Sequence, residues 1–214
     1  MYILGTYTDM DEDMKEKIKN IFSHGIAVAA SVSDAVIIDG GLVSHLSSAE
    51  TTAEVRPLSS VLGISRCEGM YGIDPNLSHF HQHHIVVRCN PKALWKARIK
   101  LIRSIIGGGK RPRPVLVILA GNEEGCEGFL RTAADMNWGI IVVPETGGQA
   151  DELCSAVAGD GTTSKTMQFV ADNGNISIIP ESCGANEMRT TCRMHLMLSG
   201  LSEYWDEVED DDGS

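Results

Sequence analysis

The feature that most constrains this chain is a recurring unit: a short apolar run, a Gly, Asp or Pro stop, then a helix-like segment. The clearest runs are VLVILA at 115–120 and GIIVV at 139–143. Neither alternates with polar residues, as expected of central parallel strands covered on both faces. Further strands are predicted at 2–5, 34–39, 60–65, 83–89 and 175–180. Helices are predicted at 12–31, 42–55, 91–106, 122–137, 148–158, 163–173 and 185–200. Pro91 opens one of them at its first turn, and Gly107-Gly108-Gly109 closes it. Strands alternating with helices predict an α/β fold: a doubly wound, mostly parallel, Rossmann-like sheet with helices on both faces. Right-handed crossovers then bring the strand C-termini to one edge, where ligands of such sheets bind.

At 214 residues the chain suits one well-buried core. A single domain is expected over 1–200, followed by an acidic C-terminal tail at 201–214. From Glu203 to Ser214 the tail carries acidic groups and no basic one, and it holds Tyr204 and Trp205. Such a run is ordinarily a solvated terminus, but its aromatics also suit docking on a protein partner. The net charge of −11 argues against a nucleic-acid partner, which needs a basic face. No stretch approaches the roughly 20 apolar residues of a membrane span, and no signal peptide is expected, since Tyr2 to Leu4 is too short for an apolar h-region. A soluble, cytoplasmic protein is the expectation. The six cysteines form no CxxC pair and sit mostly in apolar segments, so they read as reduced core thiols.

Three strand ends are candidate ligand contacts. Thr146, Gly147, Gly148, Gln149 and Asp151 follow the GIIVV strand. Glycines at a helix start leave backbone N–H groups open to an anion, and Thr146 adds a hydroxyl. A plain tight turn capped by Asp151 explains the same residues. Asp39, Gly40 and Gly41 follow the second strand, where Asp39 could orient a ribose hydroxyl. A simple turn is equally compatible. After VLVILA, Asn122 reads as an N-cap with Glu123 and Glu124 in the first helical turn. In the run His79-Phe80-His81-Gln82-His83-His84, an extended backbone would put His79, His81 and His83 on one face. Imidazoles so placed suit a transition metal, yet no carboxylate or Cys lies at a ligand offset, and no metal is expected. One histidine facing a pocket is the plainer reading. There is no G-x-S-x-G elbow for nucleophilic catalysis.

Taken in order, VIIDGG, LGIS, IDPNLSHFHQHHIVV, VLVILAGN and IIVVPETGGQAD resemble the SLOG superfamily. The branch is the one shared by prokaryotic stand-alone domains and the N-terminal region of melastatin-type TRP channels. The resemblance covers roughly residues 1–160. It implies a Rossmannoid sheet that binds nucleotides or nucleotide-derived ligands such as ADP-ribose relatives. Gly40 and Gly41 match the family's first Gly pair. Asn76, Ser78, His79 and Phe80 match its Asn–His–x–His–Phe stretch, with Leu77 replacing the first His. Gly147, Gly148, Ala150 and Asp151 match the last turn. There are departures. Gly5-Thr6-Tyr7-Thr8-Asp9 offers one glycine where the family is Gly-rich, and Leu42 and His45 replace a Thr and a Gly. Ala150, Asp151 and Cys154 stand where related nucleoside-monophosphate hydrolases carry Gly, Thr and the catalytic Glu.

The expected function is therefore non-catalytic binding of a nucleotide-type ligand, with no resident cofactor. Phosphate would sit on the Gly147 to Gln149 amides, with Asp39, Gly40 and Gly41 near the sugar and His79 facing the crevice. A bulky residue at Gly148 is then expected to abolish binding and leave the fold intact. One alternative is a structural component of a homo-oligomer or larger assembly, its pocket decayed. A weaker one is a nucleotide or N-glycosidic hydrolase using Glu145, Asp151 or Glu152. The binding reading requires the Asp39 and Gly148 turns to lie side by side on one rim of a common sheet.

Overall fold

The computed structural model describes residues 1–6, 10–40, 61–66, 81, 83–107, 113–161 and 163–211. Seven strands form one parallel sheet: β1 (Tyr2–Leu4), β2 (Ile37–Asp39), β3 (Val61–Arg66), β4 (His83–Val87), β5 (Leu116–Ala120), β6 (Gly139–Val143) and β7 (Asn175–Ile178). Their order is β4-β3-β2-β1-β5-β6-β7. All pairings are parallel, among them Leu4 with Leu119, Asp39 with Gly63 and Ala120 with Val143. The seven predicted strands are the seven observed among the described residues, and the fold is the Rossmann-like α/β class expected.

Helices cover both faces. The predicted helix at 12–31 is α1 (Glu12–Asn20), a π-helical stretch (Ile21–Ile26) and α2 (Ala27–Val32), end to end. The Asp11 carboxylate caps its start by accepting from the Met14 amide. On that same face lies α7 (Ala185–Asp211), which continues through the position where the sequence puts the start of the tail. The opposite face carries α3 (Pro91–Ile106), α4 (Glu127–Asp135), α5 (Gly148–Ala158) and α6 (Lys165–Asn173). Asn90 caps α3 on the Ala93 amide, with Pro91 at its first turn. Ser164 caps α6 on Met167. The predicted helix at 42–55 lies outside the described residues.

The sheet divides the apolar interior in two. Leu116, Ile118 and Ala120 pack beneath α1, α2 and α7 with Ile18, Phe22 and Met188. Val117 and Leu119 point to the other layer, among Phe129, Leu130, Leu153 and Val170. This period-two division of a wholly apolar strand is what a doubly covered parallel sheet demands. Phe129 anchors the second layer. Its ring stacks on Tyr2 at 4.5 Å between centroids and lies 5.9 Å from Trp95 and 6.1 Å from Trp138. Phe129→Ala is expected to lower unfolding stability by about 3–5 kcal/mol, read from urea titration.

Candidate functional site

Strands β1 to β4 step outward in one direction, and the chain then returns to lay β5 on the other side of β1. The strand order reverses between β1 and β5, so a crevice opens at their carboxyl ends. Four turns line this rim in order: Asp39-Gly40 after β2, Gly5-Thr6 after β1, Gly121 to Glu123 after β5, and Pro144 to Gly148 after β6. The Asp39 and Gly148 turns stand on one rim, as the binding reading requires. They are not side by side, because β1 and β5 intervene. At the usual strand spacing they are about 14 Å apart.

A buried ion pair holds the crevice together. Arg98 reaches up from α3 and donates from Nη1 to Glu123 Oε1 at 2.6 Å. Its Nε and Nη2 both donate to the Ile64 carbonyl, at 3.2 and 3.0 Å. Its guanidinium also lies 4.5 Å from the Trp95 ring centroid. The two side chains are only 3% and 9% exposed. Burial works against the charge on Arg98, but the neighbouring Tyr2, Glu123 and Asp39 outweigh it and hold the guanidinium more firmly protonated. The second oxygen of Glu123 accepts from the Gly5 amide at 3.1 Å.

Glu123 is thus a structural pivot rather than a helix-start residue. The predicted helix from 122 begins instead at Glu127, with Cys126 at its cap position and no side-chain cap. Asn122 does not cap that helix either; its carbonyl accepts from Thr6 Oγ1 at 3.1 Å and so joins the β1 and β5 turns.

The β6 turn is sewn to the β5 turn. Thr146 Oγ1 accepts from the Gly121 amide and donates to the Val143 carbonyl, both at 2.7 Å. Gln149 Oε1 accepts from the Glu123 amide at 2.8 Å, and the Ala150 amide donates to the Gly121 carbonyl. Asp151 Oδ2 accepts from the Gly147 amide at 3.0 Å, which is the capping role. Of the proposed phosphate-binding amides, Gly147 is therefore already engaged. Gly148 and Gln149 make no backbone hydrogen bond outside helix α5 among the described residues.

Gly148 has a packing role that the sequence did not expose. Its φ is +56°, and a Cβ there would sit 2.5 Å from Asn122 Cβ and 2.9 Å from Asn122 Cα. A bulky residue would wedge the two turns apart, so the expectation that the fold stays intact does not hold. Gly147, by contrast, has open space where a Cβ would stand, although its φ of +82° with ψ of 178° is glycine backbone.

At the β2 end, Asp39 is fully buried and contacts His81, with Oδ1 2.7 Å from Nε2. The register aligns Asp39 with Gly63 and Gly63 with His84. The three positions share one face, and Gly63 places no side chain between Asp39 and His84 there. The His81 and His84 rings are 5.0 Å apart. His81 is buried and His83 exposed, so the shared-face reading of the histidine run fails: the segment meets β4 with His84, not His83, turned toward His81. Among the described residues, no group of His, Cys, Asp and Glu could hold a metal. Gly40 is buried. Gly41 and His79, as well as Tyr7, Leu42 and His45, lie outside the described residues.

Burial raises the pKa of the Cys126, Cys154, Cys183 and Cys192 thiols. Cys89, Cys126, Cys154, Cys183 and Cys192 are free. Burial pushes the Cys154 thiol up to about 11 and Cys192 up to about 12, leaving neither as thiolate near neutral pH.

The fold and rim define a Rossmannoid α/β domain with a switch-point crevice. The chain belongs to the family described as SLOG in TRPM, prokaryote, whose model matches residues 1–190. No curated protein matches it in sequence. Among solved structures it is similar to the molybdenum cofactor carrier protein of Chlamydomonas reinhardtii, at 9% identity and a TM-score of 0.53, covering 92% of this chain and 96% of that one. It is also similar to the molybdenum cofactor binding protein of the phototrophic bacterium Rippkaea orientalis, at 11% identity and 0.47, covering 80% and 90%. A third similar structure is TM1055, at 11% and 0.49, covering 71% and 78%. The carrier protein's likeness is one of fold. No helix among the described residues is long and apolar enough to cross a membrane.

Arg98→Met leaves the Glu123 carboxylate buried without its cation and strips two donors from the Ile64 carbonyl. It is expected to cost about 3–5 kcal/mol in chemical denaturation, and adding Glu123→Leu should recover much of the loss.

Proposed function

We propose that this chain is a non-catalytic domain that binds a nucleotide-derived, phosphate-bearing ligand of the ADP-ribose type along the carboxyl rim. The observation that carries the reading is the start of α5. Among the described residues, the Gly148 and Gln149 amides make no backbone hydrogen bond outside their helix, and the space beside Gly147 is open. A helix N-terminus of this kind favours an anion through its exposed donors and its dipole. Neighbouring acids oppose it less than their number implies, because Arg98 neutralises Glu123 and Asp151 is committed to the Gly147 amide.

In this reading phosphate rests on the Gly148 and Gln149 amides. Gly147 supplies clearance, Thr146 and Asp151 fix the turn, and the sugar extends toward Asp39, Gly40 and Gly41. The His81 contact sets the direction of the Asp39 carboxylate. The span of about 14 Å between the two turns suits a ligand longer than a mononucleotide. Family membership supports small-molecule binding. One structural neighbour, at a TM-score of 0.53, is itself named as a molybdenum cofactor carrier, which is compatible with small-molecule binding here.

The test is calorimetry with ADP-ribose, cyclic ADP-ribose, AMP and NAD. At least one should bind, ADP-ribose more tightly than AMP. Gln149→Glu keeps the acceptor for the Glu123 amide while placing a negative charge beside the phosphate, and should weaken binding about tenfold or more without lowering the melting temperature. Absence of binding by the wild-type chain to all four compounds overturns the proposal.

A further inference from the structure

A second cavity is on the opposite rim. A space of about 520 Å³ lies at the amino ends of β1, β2 and β5, between the end of α2, the end of α3 and the middle of α7. That size falls within the roughly 300–1,000 Å³ of small-molecule sites. The ordinary ligand edge of such a sheet is the carboxyl one, so this space has no part in the crevice.

Its chemistry is divided. Ile102, Ile105, Ile106, Val115 and Leu196 supply an apolar interior. Val32 and Met197, also in the wall, are 62% and 57% exposed and extend the apolar lining to the mouth of the cavity. Arg113 and Arg193 stand at the edge, and neither forms a side-chain ion pair among the described residues. Asp34 is the one side-chain acid among the described wall residues. The chain as a whole carries a net charge of −11, yet the described wall of this cavity holds two arginines and one acidic side chain. An apolar interior with an excess of guanidinium complements an apolar body ending in an anion, since guanidinium forks match carboxylate geometry.

We infer that the amino-rim cavity is a second ligand site, and that it takes an amphipathic monocarboxylate: an apolar chain lodged among Ile105, Ile106 and Leu196, with its carboxylate held by Arg113 and Arg193. The backbone prepares the pair. The Arg113 amide donates to the Ile106 carbonyl at 3.1 Å, fixing one guanidinium's root at the end of α3, beside the apolar wall. Arg193 and Leu196 lie three residues apart on α7, neighbours on one helix surface. Charge and apolar contact therefore come from the same two elements.

Dodecanoate below its micelle-forming concentration is the probe, with dodecanol as the uncharged control. Titration calorimetry should give saturable one-to-one binding of dodecanoate, with dodecanol at least tenfold weaker. Arg113→Glu with Arg193→Glu, both at exposed positions, should weaken dodecanoate about tenfold or more and leave dodecanol unchanged. Ile105→Trp fills the space and should abolish both. If that variant melts early, Val32→Trp, at an exposed wall position, replaces it. Amide NMR shifts should fall on Ile105, Val115 and Leu196, not on Gly121 or Gly147. Lack of saturation, equal affinity for the alcohol, indifference to both the charge-reversed and the filled variants, or shifts confined to the carboxyl rim would each overturn the assignment. None of these outcomes bears on nucleotide binding, which is scored at the other edge.

Discussion

The Arg98–Glu123 contact is the interaction on which the arrangement of the crevice depends. One guanidinium ties α3 to the Ile64 carbonyl of β3 and to the carboxylate after β5. That carboxylate then holds the Gly5 amide after β1, and the amide of the same residue holds Gln149 at the start of α5. Three strand-to-helix junctions, after β1, β5 and β6, are thereby fixed relative to one another and to the middle of β3 through a single buried charge pair. Such a pair contributes little net stability, because desolvating both ions offsets most of their attraction. Its value here is positional: the turns cannot drift without leaving a charge buried alone.

Much of the architecture was legible in the sequence, for a physical reason. A parallel strand covered on both faces must be apolar at every position, and VLVILA and GIIVV are. The stops after them are Gly, Asp and Pro, so strand boundaries and the common ligand edge followed. What could not be read were contacts between residues far apart in the chain. Arg98 sits inside an otherwise amphipathic helix pattern, and its partners are 25 and 34 residues away. Glu123 looked like a first-turn acid because that is the local meaning of Asn-Glu-Glu after a strand. The tertiary demand for a counter-ion to Arg98 overrode it, and α4 starts later as a result.

The candidate site shows the same division. The capping role of Asp151 was local, and it was visible. The roles of Thr146 and Gln149, each spanning two turns, and the close approach of Gly148 to Asn122 were not, since a glycine in a turn looks the same whether it clears space for a ligand or for a neighbouring backbone. Structure separates the two glycines: Gly148 is occupied by packing and Gly147 is open. The histidine run followed similar logic. Its spacing pointed to a shared face, but His81 is buried against Asp39 while His83 is exposed.

The stitching of the β5 and β6 turns by Thr146, Gln149 and the Gly148–Asn122 contact has a consequence for recognition. Donors at the start of α5 are held in place by these contacts, so the binding proposed there would forfeit little conformational entropy. If the proposed ligand binds there, selectivity at this end is geometric: the guest must match a rigid template that has no slack with which to mould itself to the guest.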